Sequence, residues 1–205
     1  MVKKDREIEV QPLIITTPAL YEVTIRGLDS LLMNKMPDLS IPKPKGSKQQ
    51  QVDRLAEEER TWQEKAYYDG AGNVLLPGEN LHESLKQGAA YWGQKIPGAG
   101  NKTYTDLVSS AVVVEDMPLG ITRDDLIPYG RAVNGTPTKR TPSKVYKIRP
   151  LVRPWGGSFK LHVFDSRLDA SILRTIISYA GIFRGVGDWR PKFGRYELAK
   201  IEQVM

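Results

Sequence analysis

The sequence predicts an α+β fold, and three observations carry that expectation. Leu20 to Gly27 alternates apolar Tyr21, Val23 and Ile25 with polar Glu22, Thr24 and Arg26, the period of a strand with one buried face. Leu168, Ile172, Leu173, Ile176, Ile177 and Ala180 fall at helical spacing. Between these segments the chain reads in the order strand, helices, strand, insertion, strand pair, helix, strand.

Each element has a local reason. A charged N-terminal tail precedes the first strand, and an apolar stretch, Leu28 to Met36, follows it. Residues 37–51 hold several prolines, Gly46 and lysines, and read as a mobile loop. Val52 to Asp69 turns helical through Val52, Leu55, Ala56, Trp62 and Ala66, with Glu57, Glu58, Glu59 and Arg60 expected to face water, until Gly70 and Gly72 end it. Val74 to Leu76 reads as a short strand. Pro77 and Gly78 then open a helix with Leu81, Leu85, Ala89 and Trp92 as its buried stripe, stopped between Gly93 and Asn101.

Ala111 to Glu115 is a further strand, and residues 116–144 form a Pro- and Gly-rich, basic insertion or arm. Val145 to Val152 and Ser158 to Phe164 read as paired strands around a Pro154 to Gly157 turn, with Phe159, Leu161 and Val163 on one face. Asp169 suits the cap of the last helix and Gly181 its stop. A loop to Gly194 leads to a final strand, Arg195 to Ile201. This is the βαββαβ pattern of a ferredoxin-like, or RNA-recognition-type, sheet with helices on one face, in a single domain spanning residues 1–205.

Composition narrows the function. The chain has 30 Lys plus Arg against 24 Asp plus Glu, a modest excess, but its distribution is uneven. Arg131, Lys139, Arg140, Lys144, Lys147, Arg149, Arg153 and Lys160 lie in a stretch of 30 residues with no acid, so the remaining 175 residues are slightly negative. Such concentration is the electrostatic footprint of a polyanion partner. Tyr146, Trp155 and Phe159 lie among these cations and are placed to stack on bases. The absence of cysteine excludes disulfides, zinc thiolates and cysteine nucleophiles. The N-terminal MVKKDREIEV lacks an apolar core and no run is long enough to span a membrane, so a cytoplasmic, membrane-independent protein is expected.

The second basic element is the segment GIFRGVGDWRPKFG, Gly181 to Gly194. Its four glycines allow close backbone approach and exposed amides, and Arg184, Arg190 and Lys192, with Arg195 just beyond, place cations around Trp189. Trp189 fits equally a plug for the core, and Asp188 a local partner for Arg184 or Arg190. The segment follows a helix rather than a strand and completes neither a dinucleotide fingerprint nor a phosphate-binding loop.

The run from Phe159 through Glu197, which ends on this glycine-rich segment, resembles the C-terminal half of the RAMP superfamily of CRISPR proteins. VTIRGLDSLLMNK looks like the matching first strand and turn. The resemblance implies a glycine-rich loop between the last helix and last strand of a ferredoxin-like fold. Its closest analogy is the backbone subunit that coats guide RNA and inserts an arm between bases. Carried over by position, Arg184, Arg190, Lys192 and Arg195, with Asn34 and Lys35 after the first strand, would contact the nucleic acid, and the basic insertion would be the arm. Gly93 to Arg131 has no assignable counterpart, and a stand-alone, virus-encoded relative fits the length as well as a member of a CRISPR complex.

The function expected is therefore a non-catalytic protein that coats single-stranded DNA or RNA through its backbone, without cofactor or metal. Further copies of itself and other CRISPR-type subunits are the expected protein partners. A ribonuclease of the same fold is the alternative, for which His82, His162, Asp29 and Asp38 are the candidate residues; a histidine would need a positioned partner, and neither aspartate has an obvious acidic companion at ligand spacing. A second alternative is an inhibitor or interaction protein whose arm enters a partner's nucleic-acid channel.

Overall fold

The computed structural model describes residues 18–36, 49–134 and 144–204. Asp38, Lys139, Arg140 and most of the segment expected to be a mobile loop lie outside the described residues. The remainder is α+β, with antiparallel sheets and several helices.

The central sheet has the strand order β10-β1-β9-β5, where β1 is Ala19–Gly27, β5 Val112–Val114, β9 Gly156–Val163 and β10 Tyr196–Gln203. Every neighbouring pair is antiparallel. The period-two pattern fixes which face is dry: Tyr21, Val23 and Ile25 of β1 and Phe159, Leu161 and Val163 of β9 are buried, while Glu22, Arg26 and Lys160 are exposed.

α2 (Gly78–Trp92) and α4 (Ala170–Tyr179) pack against each other. Asp169 caps α4 as expected, accepting from the Ser171 and Ile172 amides at 2.8 and 2.9 Å. The helix does not stop at Gly181. It continues as a π-turn, Ala180–Arg184, closed by the Gly185 amide on the Ala180 carbonyl at 2.8 Å. Gly181 is needed instead for packing, because a Cβ there would sit 2.1 Å from the Tyr196 carbonyl oxygen of β10.

A second sheet has the order β2-β8-β7, from Leu31–Leu32, Lys144–Val152 and Ile127–Asn134. A small third sheet joins β3 (Tyr67–Tyr68), β4 (Val74–Leu76) and β6 (Met117–Pro118). The expected long helix is α1, Gln49–Thr61, followed by a 3₁₀ turn to Lys65 and then β3. It begins inside the stretch expected to be a loop. α3, Tyr104–Ala111, was not expected; the Thr103 amide and hydroxyl both donate to Asp106 at its start, and Tyr104, Leu107, Val108 and Ala111 are its buried residues.

The expected hairpin of β8 with β9 does not form. β8 pairs with β7 and β2, and β9 pairs with β1 and β5. The reason lies in the connection between them. Leu151 and Val152 pair with Leu32 and Leu31, and Gly156 resumes pairing opposite Arg26, so two chains cross together from one sheet into the other. Residues 153–155 are a corner rather than a reversal. Trp155 fills it: its ring is buried, its indole N–H donates to the Asp29 carbonyl at 2.7 Å and its own carbonyl accepts the Gly27 amide at 2.9 Å. Any Cβ on Gly27 would fall 2.3 Å from the indole nitrogen.

Candidate nucleic-acid interface

The loop after the π-turn is held against the turn that joins β1 to β2. The Asp188 amide donates to the Leu32 carbonyl at 2.7 Å, the Gly194 amide to the Ser30 carbonyl at 2.9 Å and the Val186 amide to the Gly194 carbonyl at 2.9 Å. Gly187 has φ +81 and a Cβ there would meet the Leu32 carbonyl oxygen at 2.5 Å, so only glycine allows this approach. The expectation of exposed amides is thus corrected for much of the loop. The amides of Gly185, Val186, Asp188, Lys192, Phe193 and Gly194 are all spent on protein carbonyls.

What the loop presents is side chains. Trp189 adopts a left-handed backbone, φ +55, which costs a non-glycine residue about 1–2 kcal/mol. Its carbonyl accepts the Lys192 and Phe193 amides, and its ring is clamped from the second sheet. Tyr129 and Arg149 are register partners on β7 and β8, and Arg131 lies two residues beyond Tyr129, so the three share one face. The Arg131 and Arg149 guanidiniums lie 4.3 and 4.8 Å from the Trp189 ring centre. Tyr129 meets the Trp189 and Phe193 rings edge-on at 6.2 and 5.4 Å. The two basic elements of the sequence therefore converge.

Asp188 is the one acid of the glycine-rich segment, and its Oδ2 lies 2.8 Å from Arg149 Nε. The contact is off the N–H axis, so it is an ion pair in which this buried oxygen accepts no hydrogen bond. Asp188 thus pairs across sheets rather than with Arg184 or Arg190. With that charge neutralised, Arg131, Arg190, Lys192 and Arg195 are left as exposed cations around Trp189 and Phe193. Two depressions flank the Gly187–Asp188 backbone. One, of about 350 Å³, is lined by Gln87, Phe183, Arg184, Trp189 and Arg190 among others; the second, of about 180 Å³, by Asn34, Tyr67 and Asn80.

The other expected site residues are dispersed. Asn34 borders the smaller depression, and the Lys35 amide donates to the Lys65 carbonyl. Lys144 is exposed at the start of β8 and Arg153 at the corner. Lys147 is tied 2.5 Å from Glu58. Trp155 and Phe159, expected to stack on bases, are buried in the core and present no ring face. Lys160 stands on the central sheet in register with Glu22, away from the β7–β8 pair. The acid-free stretch thus runs from the β7–β8 pair of the second sheet through a buried corner into β9 of the central sheet.

Glu58 was expected on a solvated helix face and is 8 % exposed. It accepts from Lys65, Lys147 and the Ile148 amide, while Lys65 Nζ donates to the Ile148 carbonyl at 2.8 Å. The pair thereby occupies the backbone edge of β8 that the two-residue β2 leaves uncovered. Burial pushes the carboxyl upward, but the hydrogen bonds from Lys147, Lys65 and Ile148 outweigh it and hold Glu58 below its usual range.

Of the residues weighed for cleavage, the three that are described each have a protein partner. His82 Nε2 lies 3.0 Å from the Val108 carbonyl, His162 Nε2 2.6 Å from Glu115, and Asp29 accepts the Arg195 amide at 3.0 Å. Among the described residues no three His, Asp or Glu side chains gather at metal-binding spacing, and no helix is long and apolar enough to cross a membrane.

No family model and no curated protein matches the sequence. Solved structures do match in fold. A chain of the type III-B Cmr-beta complex bound to cognate target RNA is similar with a TM-score of 0.54 at 13% identity, over 91% of this chain. This chain spans only 60% of that one. Cmr6 from Pyrococcus furiosus matches over 90% of this chain and 100% of its own, at 12% identity and a TM-score of 0.45. The chain is thus similar in fold to RAMP-type CRISPR subunits, the resemblance drawn from its sequence.

Proposed function

We propose that this protein binds single-stranded RNA along the groove where the glycine-rich loop meets the β7–β8 pair, contacting chiefly the phosphate backbone. The observation that carries the reading is the placement of Arg131 and Arg149 over Trp189, which joins two basic elements distant in sequence into one cationic, aromatic surface. RNA is preferred over DNA because the similar type III-B complex is bound to target RNA. The strand order β10-β1-β9-β5 supports reading the central sheet as a ferredoxin-like core, with β7 and the start of β8 as an insertion upon it. On this reading the protein is non-catalytic, and adjacent copies coat the strand.

The test is affinity for unstructured single-stranded RNA, single-stranded DNA and duplex across a salt series. Exposed Arg131, Arg190, Lys192 and Arg195 would neutralise about four phosphates, giving a log-log slope near 2.8 at roughly 0.7 per contact. Electron microscopy of the saturated complex reads the coating. Salt-independent affinity, or no binding at low salt, would refute the proposal.

A further inference from the structure

We infer that Tyr91 and Phe183 form a stacking platform for one unpaired base, whose edge lies in the depression bounded by Gln87, Arg184 and Arg190. This rests on the single-strand reading and goes beyond it, since backbone contacts alone need no such surface.

The platform follows from helix packing. A Cβ on Gly88 of α2 would lie 2.6 Å from the Ala180 Cβ, so the two helix backbones are almost in contact there. Three residues further along each chain, Tyr91 and Phe183 are brought together as a stacked pair, 4.5 Å between centroids and 20° between planes. The π-turn that carries Phe183 turns it outward instead of into the core. Both rings stay open to solvent, Tyr91 at 48% and Phe183 at 42%, and Tyr179 lies 5.6 Å from Phe183. Exposed aromatics in contact with one another are costly to leave in water unless a partner covers them.

The chemistry beside the pair selects the occupant. The Arg184 guanidinium lies 4.9 Å from the Tyr91 ring centre, and its Nε is buried with no hydrogen-bond partner. Gln87 donates its amide to Glu83 at 2.8 Å, so its carbonyl oxygen is left as an acceptor beside the depression. Arg190 is exposed at the same wall. An aromatic face with donors and acceptors at its rim and two cations suits a base attached to a phosphate better than an apolar protein side chain. The depression also shares Trp189 with the cationic groove, so a strand following the groove can deliver a base there.

The test compares wild type with Phe183→Ala and Phe183→Tyr on a short oligouridine and on a fully abasic ribose-phosphate strand of equal length. Both substitutions are at an exposed side chain, and circular dichroism checks the fold. Phe183→Ala is expected to lower oligouridine affinity about five- to hundredfold with an unchanged salt slope, to leave binding of the abasic strand unaltered, and Phe183→Tyr to retain affinity. Equal loss on the abasic strand would overturn the platform, since the effect would not pass through a base. Wild-type affinity for oligouridine in Phe183→Ala would also overturn it, and would point to a protein partner for the patch while sparing the single-strand reading. A wild type that binds neither strand removes both.

Discussion

Gly187→Ala tests whether the glycine-rich loop is held by close backbone approach or merely by its own flexibility. The added methyl incurs two penalties at this position. The φ of +81 costs an alanine about 1–2 kcal/mol. The methyl would also stand 2.5 Å from the Leu32 carbonyl oxygen and 2.8 Å from a Leu31 methyl, both on the buried β2. Overpacking of that kind costs about 1–3 kcal/mol, and if the loop lifts to relieve it, the 2.7 Å hydrogen bond from Asp188 to Leu32 is lost at about 1 kcal/mol. The whole is about 2–5 kcal/mol. Gly72→Ala is the control, because its φ of +87 is nearly the same while nothing lies within 4 Å of the added atom. Its cost should be the conformational one alone. Urea unfolding of both variants gives the difference, about 1–3 kcal/mol in favour of Gly72→Ala, and RNA affinity should fall in Gly187→Ala only, since Trp189 and Arg190 move with the loop. Equal destabilisation by the two substitutions would refute the close-approach account.

Glu58→Gln should destabilise by about 3 kcal/mol at neutral pH, because it leaves Lys65 buried without its charge partner. Glu58 is held below its usual range in the folded state, so its contribution is full above the unfolded carboxyl value and is lost as pH falls through the lower folded one. Urea midpoints measured from neutral pH into acid should therefore decline more steeply in wild type than in Glu58→Gln; parallel curves would contradict it. Trp155→Ala should cost about 3–5 kcal/mol yet leave RNA affinity and salt slope unchanged in the folded protein, whereas Trp189→Ala should weaken binding with a smaller loss of stability. Reversed outcomes in unfolding and binding titrations would exchange the roles given to the two tryptophans.

The parts of the fold legible in sequence are those whose signal is local. β1 and β9 declare their buried faces by alternation, and Asp169 with the apolar stripe of α4 declares that helix. α3 was equally legible: Thr103 and Asp106 have capping-box spacing, and Tyr104, Leu107, Val108 and Ala111 repeat at helical intervals. What sequence does not encode locally is which strand a strand will pair with. Residues 153–157 have the composition of a hairpin turn, and only the burial of Trp155 against Gly27 and Asp29 makes them a corner. Glu58 was misplaced for the same reason, since its pairing with the Ile148 backbone depends on an edge that β2 is too short to cover. Arg131, Arg190, Lys192 and Arg195 were recognisable as cations, while Tyr129 and Phe193, which complete the cluster, needed the strand register.

The corner also explains why Arg149 and Trp189, 40 positions apart in the sequence, meet. β1 and β9 run antiparallel in the central sheet, and their continuations, β2 and β8, run antiparallel in the next. The loop after the π-turn is bonded to the β1–β2 turn at Ser30 and Leu32, and β8 is bonded to β2 at the same place. Arg149 of β8 and Asp188 of the loop therefore approach the same backbone from opposite sides, and their ion pair closes over it. Removing either charge should not free the loop, because Leu32 and Ser30 still hold its amides. It would leave a single partly buried ion at 16% or 25% exposure, so a loss of stability of about 3 kcal/mol or less is expected together with a local effect on Trp189. Arg149→Met should accordingly lower RNA affinity through the neighbouring Trp189, with Asp188 no longer neutralised beside the phosphates, and a salt slope reduced with it would place Asp188 within the bound strand's ion atmosphere.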